Sequence, residues 1–242
     1  MHGVPMRPSV LSPTGFLVLG ALLAVQIGCA NGPLPYLTAM NPSMRRQWEA
    51  DEQYQPTLHR QLAEVDELRD GAARLSEGEQ RHWAGEMKYI VETHDSPQLR
   101  AAAVQALAAF TVPQAADGLR VAVKDGDPLV RIAACKAWGQ RASRESPERL
   151  AEVLGSDSDV DVRIVAAREL GRFNQPLAFQ ALGLALNDKD PSLRYRAIDS
   201  LKKASGRDYG NDVEAWQKFA QGVDPGPEYQ PSLAERAREL LF

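Results

Sequence analysis

The chain has 242 residues, with 28 Lys or Arg against 32 Asp or Glu, so its formal net charge at pH 7 is −4. This acidic balance argues against a protein that binds nucleic acid through its overall charge, and no nucleic-acid partner is expected. Two cysteines are too few for the disulfide framework of a small secreted domain.

The first 28 residues have the features of a secretory signal. Arg7 supplies a positive charge, and an apolar run of 13 residues extends from Phe16 to Gly28. As a helix this run would rise only about 20 Å, less than the roughly 30 Å hydrocarbon core of a bilayer. We therefore predict that residues 1–28 are a cleaved signal peptide rather than a membrane span.

The end of this signal carries a cysteine that has no expected disulfide partner. Cys135 falls at a core position of a helix, where it should pack as a small hydrophobe. Gln26-Ile27-Gly28-Cys29 resembles the lipobox of bacterial lipoproteins, although Gln26 stands where that family prefers leucine. The resemblance implies lipid attachment at Cys29 and a lipoprotein anchored to a membrane of the bacterial cell envelope. Export without lipid and an uncleaved anchor are the alternatives.

A tether and a helical cap are predicted next. Proline and glycine between residues 30 and 35 indicate a tether over residues 29–40. From Asn41 the pattern becomes helical, and we predict an N-terminal helical cap over residues 41–78. Its apolar residues share one helix face: Leu58, Leu62, Val65 and Leu68.

The central part of the chain is an internal repeat. Four arginines lie 31, 32 and 31 residues apart, and apolar residues stand at positions −1, +3, +4 and +7 from each of them, the spacing of one helix face. Four residues before each arginine is a residue that favours a helix N-cap. Leucine or valine at +19 and +23 marks another helix. The arginines are Arg100, Arg131, Arg163 and Arg194, and the caps are Ser96, Asp127, Asp159 and Asp190.

The repeated motif is D-P-x-[LV]-R-x-x-A, as in residues 127–134 and 190–197. It resembles the short HEAT-like repeats of the phycobilisome-lyase type. The resemblance implies an all-α, right-handed α-solenoid of about four 31-residue helix pairs over residues 79–205. Residues 206–242 would form a C-terminal helical cap, in which Asn211 caps one helix and Ser232 begins the last.

The repeated charges are expected to hold the stack in register. In stacked helical repeats such arginines reach caps, carboxylates or carbonyls of neighbouring units, and a site that binds anions is the less favoured alternative. The predicted structural ladder consists of Arg100, Arg131, Arg163, Arg194, Asp127, Asp159 and Asp190.

A row of mostly basic residues is the candidate binding surface. Positions +5 and +9 of the repeats lie on the outward side of the second helix of each pair, which we expect to line the inner face of the solenoid. This row would suit an extended acidic segment, and a solvated polar face without a ligand is the alternative. The candidate residues are Lys136, Gln140, Arg168, Arg172 and Lys203.

No catalytic motif, metal site or cofactor site is evident. Three histidines, His59, His82 and His94, are scattered, and none has a second histidine three or four residues away. The sequence favours a non-catalytic scaffold, tethered to a membrane, that binds a protein or peptide of the cell envelope through its inner face. The alternatives are a phycobilisome-lyase-like or assembly factor and, less favoured, a HEAT protein that binds nucleic acid.

Overall fold

The computed structural model describes residues 56–230, and all regular structure in this part of the chain is helical. The predicted signal peptide, Cys29, the tether, residues 41–55 of the N-terminal cap and the last helix lie outside the described residues. The described helices are α1 (Leu58–Gly71), a 3₁₀ helix (Ala72–Arg74), α2 (Glu77–Thr93), α3 (Pro97–Ala109), α4 (Gln114–Ala122), α5 (Pro128–Arg141), α6 (Ser146–Ser156), α7 (Val160–Leu170), α8 (Pro176–Ala185), α9 (Pro191–Ser205) and α10 (Val213–Ala220).

The helices stack in two layers. Four consecutive pairs run from α2 with α3 to α8 with α9. The second layer is continuous, because α1, α3, α5, α7 and α9 each pack on the next. In the first layer α2 packs on α4, α6 on α8, and α8 on α10, whereas α4 and α6 have little direct contact. The predicted all-α solenoid of helix pairs is confirmed.

The start of each second-layer helix in the repeats is fixed by the predicted cap. Asp127 Oδ1 accepts a hydrogen bond from the Leu129 amide at 2.8 Å, and Asp159 and Asp190 bond the amides of the first turn in the same way. Proline occupies the first turn of α3, α5 and α9, where its missing N–H costs nothing. These caps satisfy amide groups that would otherwise have no partner.

The core follows the repeat register. The alanines three residues after each arginine have no exposed surface, and neither have the large residues seven after it. Small side chains at these contacts let the helices approach closely. Cys135 is also fully buried, and this burial raises the pKa of its thiol to about 12. The core residues at these two positions are Ala103, Ala134, Ala166, Ala197, Leu107, Trp138, Leu170 and Leu201.

The helix after the last pair differs in detail from the expectation. Asp212, not Asn211, is the N-cap of α10, because its carboxylate reaches the Ala215 amide at 3.0 Å. The helix continues the first layer rather than only closing it, since Ala220 packs directly against Gly183 of α8. Within residues 56–230, no helix combines the length and the apolar character needed to cross a membrane.

Candidate functional site

A ladder of ion pairs joins consecutive repeats. Arg100 donates from Nε and Nη2 to the two carboxylate oxygens of Asp125, both at 2.8 Å. Arg131 holds Asp157 of the next repeat in the same way, at 2.7 and 2.9 Å. The remaining guanidinium nitrogen of each arginine donates to two backbone carbonyls just before its own helix. Each arginine therefore fixes its own loop and the loop of the next repeat at once.

The aspartates of this ladder are not the predicted ones. Asp127, Asp159 and Asp190 were expected to pair with the arginines, but their carboxylates are occupied by the helix amides that they cap. The paired carboxylates stand two residues earlier in each loop, where the side chain faces the preceding repeat. They also accept the amide of the cap residue at 2.8 to 2.9 Å. The ladder aspartates are Asp125, Asp157 and Asp188.

The arginines of the ladder lower the pKa values of the carboxyl groups that they bind. Burial of Asp157 acts to raise its pKa, but the hydrogen bonds from Arg131 and from the Asp159 amide, with the nearby arginine charges, outweigh this effect. The pKa of Asp157 is therefore below its ordinary value. The pKa of Asp125 is lowered by the same balance, with Arg100 as the main partner. The arginines of the ladder thus favour the ionised form of both carboxyl groups.

The ladder weakens toward the C-terminal end. Arg163 reaches Asp188 only at 3.4 Å, and its Nε has no hydrogen-bond partner. Arg194 donates to the carbonyls of Asp188 and Lys189, at 2.9 and 3.0 Å, and no carboxylate among residues 56–230 pairs with it. The repeat register thus continues to Arg194, whereas the ion pairing ends one step earlier.

The predicted binding row lies on the exposed side of the second layer. Lys136 and Gln140 are exposed on α5, Arg168 on α7, Arg172 in the turn just after α7, and Lys203 on α9. No ion pair within the described range involves Lys136 or Lys203. The structure therefore places four candidates on the solvent side of three neighbouring helices and the fifth, Arg172, in the exposed turn that follows the middle one.

Sequence reasoning missed an acid within this row. The Glu169 side chain is only 7% exposed, and it accepts hydrogen bonds from Arg168 at 2.9 Å and from Arg172 at 3.3 Å. The repeat pattern could have revealed it: the position six residues after the repeat arginine is Ala106, Ala137 or Ser200 in the other repeats, all small residues, which marks this position as buried. Glu169 cancels one of the charges of the row and fixes the two arginines beside each other.

Another arginine joins repeats where the first layer is loosest. Arg141, at the end of α5, donates to the carbonyls of Leu107 and Val112 at 3.3 Å and to that of Phe110. Burial lowers the pKa of Arg141. Arg120 of α4 pairs with Glu145, just before α6, at 2.8 Å. Polar contacts thus replace direct helix packing between α4 and α6.

The described residues contain no group of three or more His, Cys, Asp or Glu side chains arranged to hold a metal ion. The comparisons with known proteins address the fold. A family model for HEAT repeats matches residues 87–163 and 147–223, which together span more than half of the chain and include α10. No curated protein matches the chain.

Proposed function

The chain belongs to the HEAT repeat family, and from this we propose that it is a non-catalytic scaffold that binds an acidic protein segment on its second layer. HEAT repeats suit a scaffold for protein interaction, because stacked helices present an extended surface. The single observation that carries the proposal is the exposed row on α5, on α7 and the turn after it, and on α9, in an otherwise acidic chain. It consists of Lys136, Gln140, Arg168, Arg172 and Lys203.

The geometry supports a ligand that spans several repeats. Equivalent positions on neighbouring second-layer helices are one repeat apart, so an extended chain can meet one after another. Arg168 and Arg172 are held by Glu169 and therefore lose less side-chain entropy on binding than free arginines would. Lys136 and Lys203 flank this pair and provide point charges that steer an acidic partner.

We further propose that the protein is an exported lipoprotein anchored through Cys29. The apolar run and the lipobox-like segment of the sequence support this part of the proposal. A lipid anchor and a tether would hold the binding row near a membrane surface, where an envelope protein or peptide is its partner.

The binding row is tested by reversing charges that are not engaged in packing. Reversal of Arg168 or Arg172 would surround the buried Glu169 with like charge, so Lys136→Glu with Lys203→Glu is the cleaner double variant. The control is Lys124→Glu with Lys189→Glu, which changes two exposed lysines in loops by the same total charge.

The probe is a fluorescent peptide of alternating glutamate and serine, followed by anisotropy at low and physiological salt. We expect the row variant to bind at least about tenfold more weakly and the control to bind as the wild type does. Binding should also weaken as salt rises. Equal affinity of both variants would show that the row is not the binding surface.

The anchor is tested by Cys29→Ser in a bacterial host. We expect the variant to leave the membrane fraction or to keep its signal segment, and the wild type to show a lipid-modified N-terminus at Cys29 by mass spectrometry. An unmodified mature N-terminus at another residue would refute lipidation and leave the proposal for the binding row unaffected.

A further inference from the structure

The outer face of α9 lies where a further second-layer helix would pack. Gly139 of α5 packs against Glu169 of α7, and Gly171, just after α7, packs against Ser200 of α9. The position eight residues after a repeat arginine therefore faces the following second-layer helix. In the last repeat this position is Lys202, which is exposed. Within the residues that the structure describes, α9 thus lacks the neighbour that α5 and α7 have.

This outer face carries apolar residues at positions that are covered in the other repeats. One residue after the repeat arginine is Tyr195, which is 65% exposed, and four residues after it is Ile198, which is partly exposed. Together with Lys202 they form a stripe along one side of α9. The equivalents of Tyr195 and Ile198 in the other repeats are buried or half-buried: Ala101, Ile132, Ile164, Val104, Cys135 and Ala167.

After α10 the chain returns to the C-terminal end of α9. The Tyr229 amide donates to the carbonyl of Asp208 at 2.8 Å, and Arg207 pairs with Glu228 at 2.6 Å. The Tyr229 ring lies against Gly210, since a Cβ on that glycine would be 3.2 Å from the ring. The chain is therefore fixed at the loop that follows α9 just before its C-terminal segment, residues 231–242, begins.

This path differs from that of the repeats. Second-layer helices run parallel, because the loops before them lie side by side: Arg131 at the start of α5 reaches Asp157 in the loop before α7. A further parallel helix would need a loop beside the start of α9, where Arg194 in the described range binds carbonyls and no carboxylate. The C-terminal segment instead starts from the opposite end of α9, so it meets α9 in the antiparallel direction.

The C-terminal segment has the pattern to cover this face. Ser232 can cap a helix, and a helix over residues 232–242 would be about 16 Å long, against about 22 Å for α9. The spacing of four and then three residues between Leu233, Ala237 and Leu240 is the reverse of the spacing along the α9 stripe. The four charged residues of the segment fall outside its apolar stripe: Glu235, Arg236, Arg238 and Glu239.

We propose that residues 231–242 form a helix that packs antiparallel on the outer face of α9. Leu240 then meets Tyr195, and the small Ala237 meets Ile198 and allows close approach. Leu233 packs on the aliphatic stem of Lys202. Because the segment starts beside α9, its effective concentration at this face far exceeds that of a separate protein. The inference does not depend on the proposed binding row.

The contact is tested by disulfide cross-linking of the full chain in a mild non-ionic detergent. Under copper phenanthroline, Tyr195→Cys with Leu240→Cys should bridge, because packed helices bring facing Cβ atoms within reach of a disulfide. Tyr195→Cys with Leu233→Cys tests the parallel orientation and should give at least about tenfold less bridge. Peptide mass mapping identifies the bridged cysteines, and a mixture of unlabelled and isotope-labelled chains distinguishes bridges within one chain from bridges between two.

The matched control is Tyr89→Cys with Leu240→Cys. Tyr89 of α2 is 63% exposed, close to the value of Tyr195, and we expect no bridge there. Equal yields in the three variants would overturn the docking, and a bridge that forms mainly with the cysteine at position 233 would overturn the antiparallel orientation. A bridge that joins two chains would assign the α9 face to a second copy and overturn the proposal as well.

A separate measurement needs no cysteine. Leu240→Glu in the full chain should lower the melting temperature, because it places a charge against the apolar stripe of α9. Arg238→Glu changes the same segment outside its apolar stripe and should melt as the wild type does. If Leu240→Glu also melts as the wild type does, the segment does not pack on α9 through this face.

Discussion

Gly139 of α5 and Glu169 of α7 lie so close that a side chain on the glycine would collide with the acid. A Cβ built on Gly139 would be 2.9 Å from both the Cβ and the Cδ of Glu169. The missing side chain of one helix thus makes room for a buried carboxylate of the next. Because Arg168 and Arg172 cover that carboxylate, the packing of the second layer and the position of its exposed arginines are linked.

We predict that Gly139→Ala lowers the free energy of unfolding by about 1–3 kcal/mol through overpacking. Urea denaturation measures this change. The control is Gly155→Ala in α6, where an added Cβ would meet no atom within 4 Å and where alanine favours the helix by up to about 1 kcal/mol. Equal stability of Gly139→Ala and the wild type would contradict the close contact.

The ladder predicts unequal effects for equivalent arginines. Arg131→Ala leaves the carboxylate of Asp157, which is 6% exposed, without its partner, and we expect a loss of about 3 kcal/mol in the free energy of unfolding. Arg194→Ala removes only bonds to carbonyls, so we expect a loss near 1 kcal/mol. Chemical denaturation of both variants tests the difference, and similar losses would refute the role given to the ion pair.

The ladder also predicts acid sensitivity. The pKa values of Asp125 and Asp157 are lower in the folded protein than in the unfolded chain, so their contribution to stability is present above the unfolded value of about 3.9 and is lost as the pH falls through the folded values. We expect Asp157→Asn to be less stable than the wild type at neutral pH and to lose less stability between pH 5 and acid conditions. Identical pH profiles of the two proteins would contradict this.

Cys135 should be inert while the protein is folded. Desolvation is the main cause of its raised pKa of about 12, and the charges of Asp157 and Glu169 add to it, so almost no thiolate forms at neutral pH. We predict that a thiol reagent leaves Cys135 unmodified in the native chain and modifies it after denaturation, as detected by peptide mass mapping. Rapid modification in native buffer would show that this part of the core opens.

The fold could be predicted largely from local chemistry. Ser96 and Asp190 act as caps because a short polar side chain just before an amphipathic helix can accept a hydrogen bond from the free amides of the first turn. The burial of the repeated alanines follows from helix periodicity. The exact loop partners could not be predicted. Asp125 and Asp127 are both aspartates of the same loop, so the sequence does not distinguish them. Only the path of the loop decides which one faces the arginine of the preceding repeat.

The surroundings of the proposed binding row were harder to predict from the sequence. Helix periodicity correctly places Arg168 on the exposed side of α7. It says nothing of which residues of the adjacent helix lie opposite a charged side chain. Glu169 is satisfied only because Gly139 lies opposite, a contact between residues 30 positions apart. A large acidic residue at a position that is alanine or serine in the other repeats was the available clue, and its meaning depends on the packing.

The ladder has a consequence for how such a chain grows by duplication. The repeats of Arg131 and Arg163 each carry an arginine that pairs with the next repeat and an aspartate that pairs with the preceding one. The two partners of each ion pair are 25 or 26 residues apart along the chain. Copying or deleting one whole unit therefore recreates the same ion pair at the new junction, whatever the starting point of the copied segment. A partial copy leaves a buried charge without a partner. Because only complete repeats keep every buried aspartate paired, the ion pairs favour arrays that gain or lose whole repeats.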